Sequence, residues 1–223
     1  MLRIMAFQEV IAVLFFCFVA ACRGQFYGQP EQVHLSYGGD PTRMWVTQMY
    51  QESGSASLFE DGGSMKRKIY IHRVLLKKLT PGKTYLYHVG SDQGWSSIFY
   101  FTALKAREGG GHQSGFTYAV FGDLGNVNGR SLGRLQQQAQ RGAFDVVLHV
   151  GDIAYNMATE NAKFGDQFMR QIEPIAAYVP YMTVVGNHEY AYNFSNYDHR
   201  FSMPAAATET SRAGDTVNNL FYR

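Results

Sequence analysis

The chain has 223 residues, of which 46% are hydrophobic and 17% charged, and a formal net charge of +2. That balance belongs to a globular protein able to bury a core, as one large domain or two small ones. It excludes the strongly basic surface that would point to nucleic acid or an anionic membrane face as partner.

In chain order the first element is a leader. Arg3 precedes an uninterrupted apolar run from Val10 to Ala21, VIAVLFFCFVAA, followed by small residues in AACRG. The run is short for a bilayer span, so residues 1–24 are expected to be a signal peptide cut between Ala21 and Gln25. A secreted protein, extracellular or lysosomal, follows, with no stable membrane anchor. Both cysteines, Cys17 and Cys22, fall in this segment, so no disulfide framework is expected in the mature fold. Asn193-Phe194-Ser195 forms an N-glycosylation sequon, in keeping with secretion.

Residues 25–104 read as a β-domain. VHLSYG, RMWVTQMY, SASLFED, KIYIHRVLL, TYLYHVG and SIFYFTAL are β-branched or aromatic runs separated by Gly, Asp, Ser and Pro. Pro81-Gly82 predicts a turn that places Tyr85 and Tyr87 on one face of the next strand. Such a corner tyrosine resembles those of fibronectin-III-like β-sandwiches. Lys105 to Gly115, KAREGGGHQSG, is a glycine-rich joint.

From residue 116 to 223 the pattern changes to strand, helix, strand, helix, strand. FTYAVFGD, DVVLHVGD and YMTVVGNHE are the strands, and SLGRLQQQAQRGAF and KFGDQFMRQIEPIAAYV the helices. This alternation predicts an α/β domain with a parallel sheet covered on both faces.

Each of the three strands ends in the same manner, at Asp123, Asp152 and Asn187, each preceded by glycine. Ligands of parallel sheets sit at the carboxyl ends of strands, and glycine lets backbone and short side chains crowd one point. One Gly-Asp at a strand end is ordinarily a turn or a helix cap. Three in succession, joined by Tyr155, His188 and Glu189, describe a site, and clustered carboxylates are usually offset by metal cations.

GDLG, GDIAYN and GNHE resemble the first three blocks of the binuclear metallophosphoesterases. Tyr155, three residues after Asp152, marks the resemblance as one to the purple acid phosphatases, and AAYVPYMTVVGNHEYAYNFSNYDHRFSMP is similar to their animal type 7 group. The resemblance implies Fe(III) plus a second divalent metal (Zn, Fe or Mn), with Asp152 bridging the two ions. Asp123 and Tyr155 would serve the ferric ion and Asn187 the divalent one. His188 would be the catalytic imidazole that meets the ester, and Glu189 an orienting group. The implied activity is acid phosphatase, the hydrolysis of phosphate monoesters by a metal-activated hydroxide. A phosphodiesterase or nucleotide pyrophosphatase on the same metal core is an alternative, and so is a non-catalytic secreted binding protein.

The family also carries later histidine blocks that have no counterpart up to Arg223. His34, His72 and His88 belong to the β-domain, His112 to the joint and His149 to a strand, while His199 matches no family ligand. Residues 116–223 are therefore expected to be the N-terminal half of a calcineurin-like metallophosphoesterase domain, incomplete and with little or no activity by itself. The family's strand and loop between MWVTQMY and SASLFEDGG are missing as well, so one sheet edge is expected to be incomplete.

Overall fold

The computed structural model describes residues 30–50, 57–91, 94–105 and 115–204. The expected signal peptide, the middle of the glycine-rich joint and the expected sheet gap at 51–56 lie outside the described residues. No described helix is long and apolar enough to cross a membrane.

The first half contains eight strands: β1 Glu31–Tyr37, β2 Met44–Tyr50, β3 Ser57–Glu60, β4 Lys68–Leu76, β5 Thr84–Tyr87, β6 Gly90–Ser91, β7 Gly94–Trp95 and β8 Phe99–Thr102. The first four form an antiparallel sheet in the order β1-β2-β4-β3; β5 pairs with β8 and β6 with β7. Val33, Leu35, Met44 and Val46 from the larger sheet pack with Phe99 and Phe101 from β8. Alternation along β8, with Phe99 and Phe101 buried and Tyr100 and Thr102 exposed, is what a strand with one buried face requires.

The predicted corner forms. Gly82 takes a left-handed φ of 75°, and the Tyr85 hydroxyl accepts a hydrogen bond from the Thr80 N–H at 2.7 Å. Tyr87, on the same face, points its hydroxyl into the second half and donates to Ala177 O at 2.7 Å.

The second half contains β9 Tyr118–Phe121, α1 Leu132–Gln140, β10 Val146–Val150, α2 Lys163–Ala176, β11 Tyr181–Val184 and a short α3 Ser195–Arg200. The strands are parallel in the order β11-β10-β9, in a register that aligns Phe121, His149 and Thr183 near their carboxyl ends. Helices α1 and α2 lie side by side, tied by Gln136 Nε2 donating to Gln171 O at 2.8 Å, and Phe168 of α2 packs on His149. Here the structure departs from the expectation of a sheet covered on both faces. Both helices take one face, and Tyr118, Val120 and Val150 on the other are 52%, 61% and 53% exposed. The alternation of exposed and half-buried residues along β9 already separates the two faces. Helix α3 adds an element that the strand–helix alternation does not predict.

The halves are joined by a polar seam. Arg200 of α3 is buried; its Nη2 lies 2.8 Å from Asp166 Oδ1 and donates to Ala162 O at 3.0 Å. Arg67 of the first half pairs with the same Asp166. The β1 edge is closed by α2: Val33 N–H donates to Glu173 Oε2 at 2.8 Å, which removes one open donor of an edge strand. Ser202 receives Arg73 and lies 3.3 Å from Thr47 Oγ1. Such a seam fixes the β-rich half against the α/β half.

Candidate metal centre

All three strand ends of the second half arrive at one edge. Asp123, Asp152 and Tyr155 adopt left-handed φ values of 55°, 47° and 51°, a conformation that non-glycine residues hold at a cost on the order of 1–3 kcal/mol. These left-handed residues lie in the turns that follow β9 and β10. Two glycines make room. Gly151 has φ 80°, and a Cβ there would stand 3.1 Å from the Gly186 backbone; a Cβ on Gly186 would stand 2.5 Å from Asp152 N. The two backbones touch where only hydrogen fits.

The Tyr155 hydroxyl donates to Asp123 Oδ1. That hydrogen bond, with burial and the charges of Asp123, Asp152 and Glu189 behind it, pushes the phenol up to about 12. Asp152 Oδ1 accepts the backbone N–H of His188 at 3.1 Å. The His188 ring sits 4.6 Å from the Tyr155 ring, with Nδ1 3.2 Å from Asn156 Oδ1. Asn187 is exposed at the start of a single 3-10 turn, Asn187–Glu189.

Glu189 has a different part. It is buried, and its carboxylate accepts three backbone N–H groups: Asp152 at 3.0 Å and Gly186 at 2.8 Å on Oε2, Ile153 at 2.8 Å on Oε1. With its oxygens turned to the backbone, Glu189 pins the β10 turn to the β11 turn. The motif places it; only the fold shows that it orients these turns.

Asn156 is the residue that sequence reasoning passed over. It stands directly after Tyr155 in GDIAYN, and its φ of 77° is a left-handed value that asparagine tolerates better than most. His149, aligned with the strand ends, faces the core instead: Nδ1 is 2.8 Å from Tyr181 Oη. His199 stacks on Phe59 at 4.7 Å and stands in the seam.

Among the described residues, no three His, Cys, Asp or Glu side chains converge as a closed metal cage. What does gather is an oxygen set of two carboxylates and a phenol, with Asn187 exposed beside them. Such donors fit a hard cation, and a phenol binds as phenolate only to a strong Lewis acid. Gly186 packs closely against Asp152, where any larger residue would overlap its carboxylate. The residues present thus fit part of a metal-binding shell.

Comparison with known proteins gives the same outline. The calcineurin-like phosphoesterase model matches residues 116–221, and the model of the N-terminal domain of purple acid phosphatases matches residues 47–103. The chain is 52% identical over 195 residues to acid phosphatase type 7 of Mus musculus, covering 78% of this chain and 44% of that protein. It is 50% identical over 214 residues to acid phosphatase type 7 of Homo sapiens, covering 87% of this chain and 48% of that protein. A solved purple acid phosphatase from yellow lupin (Lupinus luteus) seeds superposes with a TM-score of 0.61 at 26% identity, over 80% of this chain and 41% of that one. The chain spans about half the length of the curated relatives it matches.

Proposed function

The chain belongs to the purple acid phosphatases, within the calcineurin-like phosphoesterases, and from that premise we propose that its strand-end site serves acid hydrolysis of phosphate monoesters in a secreted protein. The observation that carries this reading is the gathering of Asp123, Asp152, Tyr155 and His188 at one sheet edge.

Fe(III) and a second divalent ion (Zn, Fe or Mn), when bound, supply Lewis acidity toward phosphate oxygens and lower the pKa of a water. Asp123 and Tyr155 would hold the ferric ion, Asp152 would bridge, and Asn187 would offer its amide oxygen to the divalent ion. Without a cation the Tyr155 hydroxyl keeps its proton in the hydrogen bond to Asp123; as a ligand it would bind as the phenolate. His188 lies against Asn156 at Nδ1 and against the Tyr155 ring, which supports a role in which Nε2 would meet an ester oxygen. Glu189 keeps the two turns together without entering the donor set.

Substituting the bridge tests this. Asp152→Asn should lose bound metal by elemental analysis together with aryl-phosphate hydrolysis at acid pH. Retention of both sinks the reading. The second reading is a non-catalytic secreted binding protein; a parent protein that folds but never retains metal would favour it. Hydrolysis of a diester in preference to a monoester would move the site to the phosphodiesterases.

The β-rich half, with its facing sheets and the Tyr85 corner, supports a fibronectin-III-like assignment. Asn193 is exposed, as a glycan acceptor must be. A mobility shift on endoglycosidase treatment, absent in Asn193→Gln, checks it.

A further inference from the structure

The turn between β3 and β4 stands apart from the sandwich core. Asp61 N donates to Arg67 O at 2.9 Å and Gly63 N to Asp61 Oδ2 at 2.9 Å, which makes a tight hairpin tip. That tip lies on the second half and touches two segments there.

The first segment, residues 155–162, begins with Tyr155 and Asn156. At its far end Asn161 Oδ1 accepts Met65 N–H at 2.9 Å, and a Cβ on Gly63 would stand 2.5 Å from that same oxygen. The second segment, residues 188–194, begins with His188. Its Tyr192 ring presses on Gly62 so closely that a Cβ there would overlap ring atoms Cγ, Cδ1 and Cδ2. Asp61, fully buried, anchors the hairpin by accepting from Asn196 Nδ2 at 3.3 Å.

Both contacts fall on strained backbone. Glu160, Asn161 and Ala162 run left-handed at φ 53°, 55° and 63°, and Tyr192, Asn193 and Phe194 at 54°, 55° and 62°. Consecutive left-handed residues other than glycine persist only where their surroundings impose them. The hairpin meets one residue in each run. At their other ends the same two segments meet each other, through Asn156 and His188 at 3.2 Å and through the Tyr155 and His188 rings.

We infer that the Asp61–Arg67 hairpin of the β-rich half is a positioning element, whose two glycines let it hold both site-bearing segments in the register that brings Tyr155 to His188. Gly62 and Gly63 are positioning residues, and Asn161 is their partner. The inference rests on the reading of the strand-end cluster as the site.

The test uses the whole chain with its seven histidines labelled, observed by NMR at one fixed pH, with His188→Gln assigning the His188 signal. Gly62→Ala should move the His188 ring resonance by more than a line width while those of His34 and His149 stay in place. Asn161→Gly keeps the left-handed backbone and deletes the acceptor, so it should move the same resonance even where Gly62→Ala fails to fold. Asn161→Asp keeps an acceptor oxygen and should return the parent spectrum. An unmoved His188 signal in Asn161→Gly overturns the inference. So does equal movement of the His34 and His149 signals, since that marks loosening of the whole fold. Failure of the site reading is seen separately, as unchanged metal content in Asp152→Asn.

Discussion

The seam and the strand-end site are both built from charged and polar side chains, and they treat them in opposite ways. At the seam Arg200 is buried against Asp166, and Arg67 approaches the same carboxylate from the other half of the chain. Burial pulls the Arg200 guanidinium down, and Asp166 pulls it back up. At the strand ends Asp123 and Tyr155 are exposed and held on left-handed backbone, with no arginine or lysine among the described residues in ion-pair contact with either. Charges paired inside a fold define its geometry, whereas charges gathered at strain without a counter-ion define a place for a ligand. The contrast separates structural polarity from functional polarity within one small chain.

The largest break in that contrast should come from the seam. Arg200→Ala leaves Asp166 buried with only Arg67, and removing one partner of a buried pair costs about 3–5 kcal/mol. Urea unfolding should show a much lower midpoint, and a loss under ~1 kcal/mol would mean that Arg67 alone satisfies Asp166.

Glu189 sharpens the contrast, because it stands in the site motif and behaves like a seam residue. Glu189→Ala strips acceptors from three backbone N–H groups and should cost about 3 kcal/mol. A neutral Glu189→Ala that still abolished metal binding would instead make Glu189 a ligand.

One buried histidine lies in each region. Burial pushes His34, at the seam, and His149, beneath the site, down to about 4 from the ordinary 6.5. The folded protein therefore binds fewer protons than the unfolded chain between about pH 6.5 and about pH 4. Their contribution is complete above that window and is lost as pH falls through it, about 3 kcal/mol for each. Denaturant titrations at about pH 7 and about pH 5 should show the decline, and His34→Gln should flatten it. An unchanged slope in His34→Gln would show that this ring does not set it.

The smallest effect on stability belongs to the site itself. Asp152 sits at φ 47°, which asparagine tolerates, and the amide oxygen introduced by Asp152→Asn can still accept the His188 N–H. That change should stay within ~1 kcal/mol and tend toward stabilisation. Tyr155→Phe deletes only an exposed hydroxyl, so the unfolding midpoint should hold while the visible absorption of an iron-loaded protein disappears. A large loss of stability in either would place these residues with the seam.

Much of this was legible in the chain itself, and the reason is locality. A strand, a glycine and a carboxylate are neighbours in sequence, so GDLG, GDIAYN and GNHE mark the sheet edge by their residues alone. The corner at Pro81-Gly82 with Tyr85 is local in the same sense. The parallel order of β9, β10 and β11 follows from the helices between them. Tertiary structure decided what depends on distant partners. Arg67 meets Asp166 across 99 residues and Asn196 meets Asp61 across 135. Neither pair belongs to a repeating pattern, so no periodicity announces it. The same holds for Glu189, whose motif is visible but whose orientation toward Asp152 and Ile153 is set only when β10 and β11 pair. It holds too for Gly62 and Gly63, which read as an ordinary turn until Tyr192 and Asn161 are packed against them.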